Sequence, residues 1–480
     1  MEIVKQDRGK GDSHSPLFTC SVVLASLSAF LGSLDSALNI SFPAITAAFS
    51  LEVSSIQWVI VGYVLPHASL LLGCGRLADV WGHGRVLRCG LLVSSVAFLG
   101  CGLAPTFGWL IVARVGQGMG AALMSGSAPA LVTLAVPPEA RGRALGLFQM
   151  SMAAGYAVGP LMGGGLVDVF GWRAVFLVRI LPAVLLAWFA ASKLPAVQQR
   201  SGEQRFDLFG ALTLAASLAA LLLAISQSRR SGWFSVEVMI PAFLSVIGFV
   251  TFIVTEKRVS APIVNLDLFR RWPFVIANSL GVAANCARFA VGLLAPYYVI
   301  EVLRYRAATG GTLMLAAAIM TPLVAPFAGK LSDRFGTAGL SALGLAVEGL
   351  GLWMISRLDA QADYLSAAIA FGLVGLGLGL FEAPNMSFVM GSIPRHQQGV
   401  AGSIANMMRT LGIVIGATGW SMLFDARRQS AAGAITSGAG DTFVPAFQDV
   451  FQAAAASCAI AFVLALFRRQ EAQSNSSKDR

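Results

Sequence analysis

Long apolar runs separated by short polar segments make up most of the sequence. A transmembrane helix needs about 20 consecutive apolar residues, and its backbone hydrogen bonds must be satisfied within the segment itself. We therefore interpret each long run as a membrane-spanning helix. The fourteen windows cover residues 17–38, 56–74, 86–104, 109–134, 144–167, 174–192, 208–227, 236–255, 274–300, 311–328, 339–355, 365–393, 400–424 and 450–467.

One polar loop pattern occurs twice along the chain. The segment GRLADVWGHGR at residues 75–85 lies between the second and third runs, and GKLSDRFGTAG at residues 329–339 lies between the tenth and eleventh. Asp79 of the first copy matches Asp333 of the second. This repetition predicts two related halves of six helices each, with runs seven and eight inserted between them.

The composition indicates a polytopic membrane protein. Hydrophobic residues make up 56% of the chain and charged residues only 12%, whereas soluble domains carry about 25% charged residues. The net charge of +10 does not indicate nucleic-acid binding, because Lys and Arg are spread over short loops. The six cysteines and four histidines are scattered, and no P-loop motif occurs. We therefore expect no metal site, no cofactor, no disulfide and no enzymatic centre.

Lys and Arg are distributed unequally between alternate loops. With the N-terminus in the cytoplasm, 22 of them fall in cytoplasmic segments and 8 in outer loops. The positive-inside rule then places both termini and both copies of the loop pattern in the cytoplasm of a multi-pass protein in the cell (inner or plasma) membrane. The predicted domains are a cytoplasmic N-terminal tail at 1–16, an N-terminal six-helix bundle at 17–193, cytoplasmic linkers with two inserted spans (about 208–227 and 236–255) at 194–271, a C-terminal six-helix bundle at 272–468 and a disordered cytoplasmic tail at 469–480.

The first and fourth runs contain polar groups that are costly inside a membrane. Run one carries Asp35 and Asn39, and run four carries Arg114 and Gln117. A carboxylate within the bilayer has to be paired or protonated, and an arginine there stays charged and needs a partner. Asp35 is therefore a candidate proton carrier. A capping role for Asp35 near the end of its run, and a purely structural role for Arg114, stay open.

The fifth run contains a closely spaced set of small residues. Gly155, Gly159, Pro160, Gly163 and Gly164 form the pattern GxxxGPxxGG. Small side chains let two membrane helices approach closely, and a proline inside a helix kinks it. Generic helix packing also produces GxxxG, so the pattern alone does not identify a function.

Together these motifs resemble the major facilitator superfamily, specifically its 14-span drug:proton antiporter branch. The loop at 75–85 and the patterns of runs one, four and five match the family signatures, with Ser36 where the family has Thr. His83 and Gly84 stand where the family often has basic residues. The resemblance implies an all-α fold of two pseudo-symmetric six-helix bundles plus two inserted helices, which rock around a central site in alternating access.

The resemblance also implies roles for the motif residues. Asp35 and Arg114 would couple transport to protons, with Arg114 lying beside Asp35. The glycine-proline set of run five would be an antiporter motif that indicates export. A gating set would hold the cytoplasmic side closed, and it comprises Gly75, Asp79, Gly82, Arg85, Asp333 and Arg334.

The second half of the chain carries fewer signals. Glu382, in the twelfth run, could recognise a cationic substrate, carry a second proton, or simply pair with Arg288 or Arg409. Glu348 is a lone acid in the eleventh run, and we expect it to be peripheral. The tentative substrate cavity comprises Asn39, Gln117, Asn278, Asn285, Arg288, Glu382, Asn385 and Arg409.

The sequence therefore predicts a proton-coupled secondary antiporter that exports small amphiphilic compounds, either drugs or metabolites. The proton gradient would supply the energy, and the expected partners are the substrate, protons and the lipid bilayer, with a monomer as the expected state. A proton-coupled uptake symporter on the same fold and a non-transporting membrane sensor are the alternatives. The carboxylates favour cationic or neutral substrates, and the buried arginines leave anions open.

Overall fold

The computed structural model describes residues 16–137, 140–194, 208–232, 234–259, 266–393, 398–434 and 442–478, and these residues are almost entirely helical. Most of the predicted N-terminal tail and the loop before the first inserted span lie outside the described residues. The α-helices are α1 (Pro16–Ser33), α2 (Phe42–Ala48), α3 (Gln57–Trp81), α4 (His83–Gly102), α5 (Phe107–Leu134), α6 (Arg141–Phe170), α7 (Ala174–Leu177), α8 (Ile180–Lys193), α9 (Leu208–Ser231), α10 (Val236–Glu256), α11 (Trp272–Tyr297), α12 (Ala307–Phe335), α13 (Thr337–Ile355), α14 (Tyr364–Gly391), α15 (Gln398–Ala434) and α16 (Phe443–Lys478).

Within the described residues, thirteen helical segments are long and apolar enough to cross a membrane. The fourteenth predicted span is α9, which contains the shorter apolar segment Leu212–Leu221. Helices α1–α8 form the first six spans, α9 and α10 form the inserted pair, and α11–α16 form the last six. The predicted all-α fold with two six-helix bundles and an inserted pair is confirmed.

The inserted helices lie on the outside of the bundles. Helix α9 packs on α3, and α10 packs on α9. Large apolar side chains of α10, such as Phe243, Val246 and Val250, are exposed. An exposed apolar surface of this kind is stable in contact with lipid.

The repeated loop pattern forms the same turn in both halves. Helix α3 ends at Trp81 and the next residue, Gly82, has a φ of 95°; α12 ends at Phe335 and Gly336 has a φ of 86°. Glycine adopts this left-handed region without a steric penalty and commonly ends helices. In each half a new helix starts directly after the glycine, so the repeat seen in the sequence is also present in the structure.

The first span differs from the continuous helix that the apolar run predicts. Helix α1 ends at Ser33, a 3₁₀ helix follows at Leu34–Ser41, and α2 continues from Phe42. Pro43 contributes no N–H group to this junction, so a continuous α-helical bond ladder is interrupted here. A 3₁₀ stretch inside a long helix often marks a functional position, and Asp35 lies within it.

The chain also departs from the prediction at its C-terminal end. The polar tail after residue 469 was expected to be disordered, whereas α16 continues as a helix to Lys478. The tail extends an existing helix, so no new helix has to be nucleated.

Candidate functional site

A buried charge cluster surrounds Asp35 in the N-terminal half. Arg114 of α5 donates from Nη1 to Oδ1 at 2.9 Å and from Nη2 to Oδ2 at 3.0 Å. Gln117, one turn further along α5, donates to Oδ1 at 2.7 Å. Arg179 donates from Nη1 to the same oxygen at 3.0 Å. The predicted proximity of Asp35 and Arg114 is confirmed, and the carboxylate accepts four hydrogen bonds, three of them from guanidinium groups.

The position of Arg114 is fixed from several sides. Its Nε donates to the Val59 carbonyl at 2.9 Å, and its Nη1 also donates to Oε1 of Gln117 at 2.8 Å. The guanidinium lies 4.5 Å from the centre of the Tyr63 ring, and Tyr63 stacks in turn on His67. Bidentate pairing and aromatic stacking hold an arginine more rigidly than a lysine could be held. The side chain of Arg114 is 2% exposed and that of Asp35 is 15% exposed.

Arg179 is a member of the cluster that the sequence did not reveal. It follows the short helix α7, its side chain is buried, and its Nε donates to the Val175 carbonyl at 2.9 Å. The rings of Phe98 and Phe176 lie 4.6 and 5.4 Å from its guanidinium carbon. An arginine inside a span was the available signal, because such a charge requires a partner. The partner is 144 residues away in the chain, so local sequence could not identify it.

The glycines of α6 place this helix directly against the segment that carries Asp35. A Cβ at Gly155 would lie 2.5 Å from the Phe30 carbonyl oxygen, and a Cβ at Gly163 would lie 2.4 Å from that of Ala37. At Gly159 the nearest neighbour would be the Ser36 hydroxyl. Only hydrogen fits at these positions. The GxxxG spacing therefore serves one defined contact with the first span.

The other face of α6 contacts the opposite half of the molecule. A Cβ at Gly164 would lie 2.3 Å from the Ala307 carbonyl oxygen, and one at Gly311 would lie 2.3 Å from that of Pro160. Helix α6 thus fits between the Asp35 segment and α12. A movement of one half relative to the other has to change at least one of these two contacts.

A side chain of α6 also caps α12 across the two halves. Asp168 accepts hydrogen bonds from the backbone N–H groups of Ala307 at 3.0 Å and Ala308 at 2.9 Å, one on each carboxylate oxygen. These residues begin α12, where N–H groups lack partners within the helix and the helix dipole favours a negative charge. This contact lies at the end of α12 opposite the loop pattern at 329–339. The two halves are joined at that end.

The predicted polar residues of α11 and α14 mostly bond to backbone. Asn278 and Asn285 each donate to a carbonyl four residues earlier in α11, at 2.8 and 3.1 Å. Asn385 of α14 donates to the Ala277 carbonyl at 2.9 Å and so ties α14 to α11. Asn39 lies near Gly292 of α11. These groups fix helix positions within the C-terminal half and along its border with the first span.

Glu382 and Arg409 form an ion pair within the spans of the C-terminal half. The Oε1 and Nη1 atoms are 3.7 Å apart, and both side chains are about one third exposed, at 29% and 34%. Arg409 also interacts electrostatically with Tyr156 of α6 and with His67 of α3. Of the pairings that the sequence left open for Glu382, the structure contains the one with Arg409. Arg409 belongs to α15, which packs against α3 of the N-terminal half.

The loop pattern at 75–85 makes local contacts in this structure. Gly75 of α3 packs against Gly126 of α5, where an added Cβ on Gly126 would lie 2.7 Å from the Gly75 nitrogen. Asp79 pairs with His83 at 3.2 Å, and Arg85 is exposed. Arg334 in the second copy is also exposed. For Asp333 only the backbone, within α12, is described.

The chain is similar to known transporters. A model of the Major Facilitator Superfamily matches residues 23–417. The sequence is 32% identical over 447 residues to the cephamycin export protein CmcT of Amycolatopsis lactamdurans, covering 90% of each chain. It is 26% identical over 404 residues to the riboflavin transporter RibZ of Clostridioides difficile, covering 84% of this chain and 87% of that one. The fold matches an inward-facing, unoccupied bacterial homologue of the human lysosomal transporter Spinster, with a TM-score of 0.71, 15% identity, and 95% and 98% coverage.

Proposed function

Because the chain belongs to the major facilitator superfamily, we propose that it is a proton-coupled antiporter that exports small amphiphilic compounds across the cell membrane. Family and fold are those of transporters, which are not enzymes. Protons enter down their gradient while the compound leaves, and both termini lie in the cytoplasm. The two halves rock around a central site that opens to one side at a time. The protein works as a monomer, with the proton gradient as its energy source.

The observation that carries this proposal is the ionisable Asp35 inside a membrane-spanning segment, held by two arginines. Its carboxylate accepts hydrogen bonds from Arg114 and Arg179, yet its side chain keeps a 15% exposed surface. A proton on this carboxylate would remove the charge that holds both guanidinium groups. Protonation is thereby linked to a rearrangement of α5 and of the segment after α7, which is the link that a proton-driven transporter needs.

Coupling to a substrate follows from the same linkage. If the proton and the substrate stabilise different arrangements of the cluster, each lowers the affinity for the other by the same factor. The guanidinium of Arg114 lies over the Tyr63 ring, and the Tyr63 ring stacks on His67. The charge of Arg409 acts on His67 from the other half. The Asp35 cluster and the Glu382–Arg409 pair therefore flank one region between the halves, and we assign substrate recognition to that region.

The direction of transport is supported by two observations. Helix α6 carries the antiporter pattern and separates the Asp35 segment from α12 through glycine contacts. The cephamycin export protein is 32% identical along nearly the whole chain. Antibiotic-sized amphiphilic molecules are therefore the first substrate class to test. Similarity to a riboflavin transporter makes a planar heterocycle the second substrate class to test, and an uptake symporter is the second candidate function. A sensor that binds without transport is the remaining alternative.

The proposal is tested with purified protein in liposomes that carry an imposed pH gradient. Movement of riboflavin and of a cephamycin is measured for the wild type and for Asp35→Asn, which keeps the shape of the side chain and removes its charge. In the wild type we expect the compound to move against the proton flow, into the compartment that the protons leave. In Asp35→Asn the rate of this gradient-driven movement should fall at least tenfold. Asp363→Asn is the matched control, because Asp363 caps α14 at an exposed position.

Each alternative gives a distinct result. An uptake symporter would move the compound together with the protons. A sensor would bind the compound with no flux that depends on the gradient. Asp35→Asn with unchanged gradient-driven transport would remove Asp35 from the coupling mechanism.

A further inference from the structure

Glu348 of α13 is an acid in the membrane interior of the C-terminal half, and the function proposed above does not use it. The sequence suggested a peripheral residue, but the side chain is 0% exposed. The correction has a packing reason: the glycine-rich helix α14 lies so close that a Cβ on Gly377 would be 2.2 Å from the Glu348 nitrogen. Helix α16 covers the neighbouring position, where Gly349 contacts Cys458.

The carboxyl group of Glu348 has no hydrogen-bond partner among the described residues. Both of its oxygens are buried, and neither is within bonding distance of a donor. An ionised carboxylate without partners in an apolar interior is far less stable than the neutral acid, and such groups neutralise instead. Burial and geometry together therefore favour the protonated form of Glu348 in this conformation.

The environment of Asp35 is the opposite. Its carboxylate accepts four hydrogen bonds, from two arginines and a glutamine. Charge-assisted bonds of this kind stabilise the ionised form. Two acids in one membrane protein thus lie in environments that favour opposite protonation states, and such a pair is the usual arrangement for groups that hold and release protons.

The charged groups around Glu348 supply a way to stabilise its ionised form. Arg288 of α11 is the positive charge that acts on Glu348, and Glu382 of α14 is the negative one. Cys458 of α16 is the other titratable group beside it. The Nε of Arg288 is itself buried without a partner in the described structure. A shift of α11 relative to α13 that brings this guanidinium to the carboxylate would let the two groups pair.

We propose that Glu348 is a second proton-binding residue, which holds a proton in this conformation and releases it when Arg288 moves to pair with it. The O–H bond of Glu348 breaks, the proton leaves to water on the side of the partly exposed Glu382, and the remaining negative charge is balanced by Arg288. The role of this proton in transport rests on the proposed function, whereas the protonation of Glu348 is independent of that function.

Infrared difference spectroscopy of the purified protein tests the protonation state directly. A protonated carboxyl group gives a carbonyl band that is separate from the ionised carboxylate and shifts on exchange into D₂O. We expect this band at neutral pH in the wild type, its loss or clear reduction in Glu348→Gln, and a displaced band in Glu348→Asp. Asp363→Asn is the control, because Asp363 is an exposed acid that caps α14, and this variant should not change the band. Identical bands in the wild type and Glu348→Gln would overturn the proposal.

A transport measurement then separates this proposal from the proposed function. In liposomes with riboflavin or a cephamycin, Glu348→Gln should retain exchange without a pH gradient and lose at least tenfold of the response to an imposed gradient. If the wild type shows no gradient-driven movement, the proposed antiport fails while the infrared result still decides the state of Glu348. If the wild type responds and Glu348→Gln responds equally, Glu348 has no coupling role.

Discussion

At the scale of single residues, the cluster around Asp35 combines one carboxylate with two guanidinium groups in a buried place. Taking charges out of water is costly, and a buried pair repays this cost only with good geometry. Here the bidentate contact of Arg114 supplies that geometry. Arg179 adds a second positive charge, which rests partly on the faces of Phe98 and Phe176. The cluster is thus stable as long as Asp35 is charged, and removal of that charge should be felt by both arginines.

A double-mutant cycle on Asp35 and Arg114 tests this coupling. Asp35→Asn leaves buried guanidinium groups without their counter-charge, and Arg114→Gln weakens the hold on the carboxylate, so each should lower stability by about 3 kcal/mol. The double variant should lose less than the sum, with a coupling energy of about 1–3 kcal/mol. The measurement is the unfolding free energy of the purified protein in detergent. Additive losses would show that the two side chains do not depend on one another.

The limits of sequence reasoning are clearest at this scale. Asp35, Arg114 and Gln117 could be predicted, because each is a polar group in an apolar run and the latter two lie one helical turn apart. Arg179 also lies in an apolar run, 174–192, but the sequence gives it no role, since only the fold brings it to Asp35. Glu348 was misjudged because its burial depends on how the following helix α14 and the more distant α16 pack on α13, which the sequence does not show.

At the scale of helices, α6 is the element on which the two halves and the first span converge. Its glycines contact backbone carbonyls, which cannot rotate away as a flexible side chain can. The sequence predicted close packing from the GxxxG spacing. It could not predict which helices would be the partners, nor that the first span would change to a 3₁₀ helix where α6 touches it.

Two glycines of α6 give a matched test of this contact. A Cβ at Gly163 would meet the Ala37 carbonyl oxygen at 2.4 Å, whereas one at Gly165 would meet nothing within 4 Å. Gly163→Ala should force α6 away from the Asp35 segment, cost about 1–3 kcal/mol of stability and reduce transport strongly. Gly165→Ala should be neutral or slightly stabilising, because alanine favours the helix. Thermal unfolding midpoints and liposome transport of both variants check this, and equal behaviour would show that the contact is not tight.

At the scale of the whole molecule, the halves are related but carry different chemistry. The turns at Gly82 and Gly336 repeat the same backbone geometry, and this relation was readable from the sequence. The charged groups within the spans do not repeat: the N-terminal half has one acid and two arginines in contact, while the C-terminal half has the partly exposed Glu382–Arg409 pair and the buried Glu348. Divergence of this kind follows if the two halves hold protons in different ways and the border between them recognises cargo. The sequence predicts the repeat because each turn is formed by residues that are neighbours in the chain. It does not predict the charge partners because these are far apart in the chain.

The contact of Asp168 with the start of α12 predicts how the conformational equilibrium responds to mutation. This carboxylate bonds two N–H groups of the opposite half, so Asp168→Ala should weaken closure at that end by about 1.5 kcal/mol, roughly a tenfold shift towards the open state. Asp363→Ala is the control, because Asp363 caps its own helix and does not bridge the halves. With the six free cysteines replaced, spin labels at Phe170 and Arg306 report the separation by electron–electron double resonance. Asp168→Ala should populate a longer distance that the wild type and Asp363→Ala lack, and an unchanged distribution would mean that the glycine contacts of α6 alone hold this end closed.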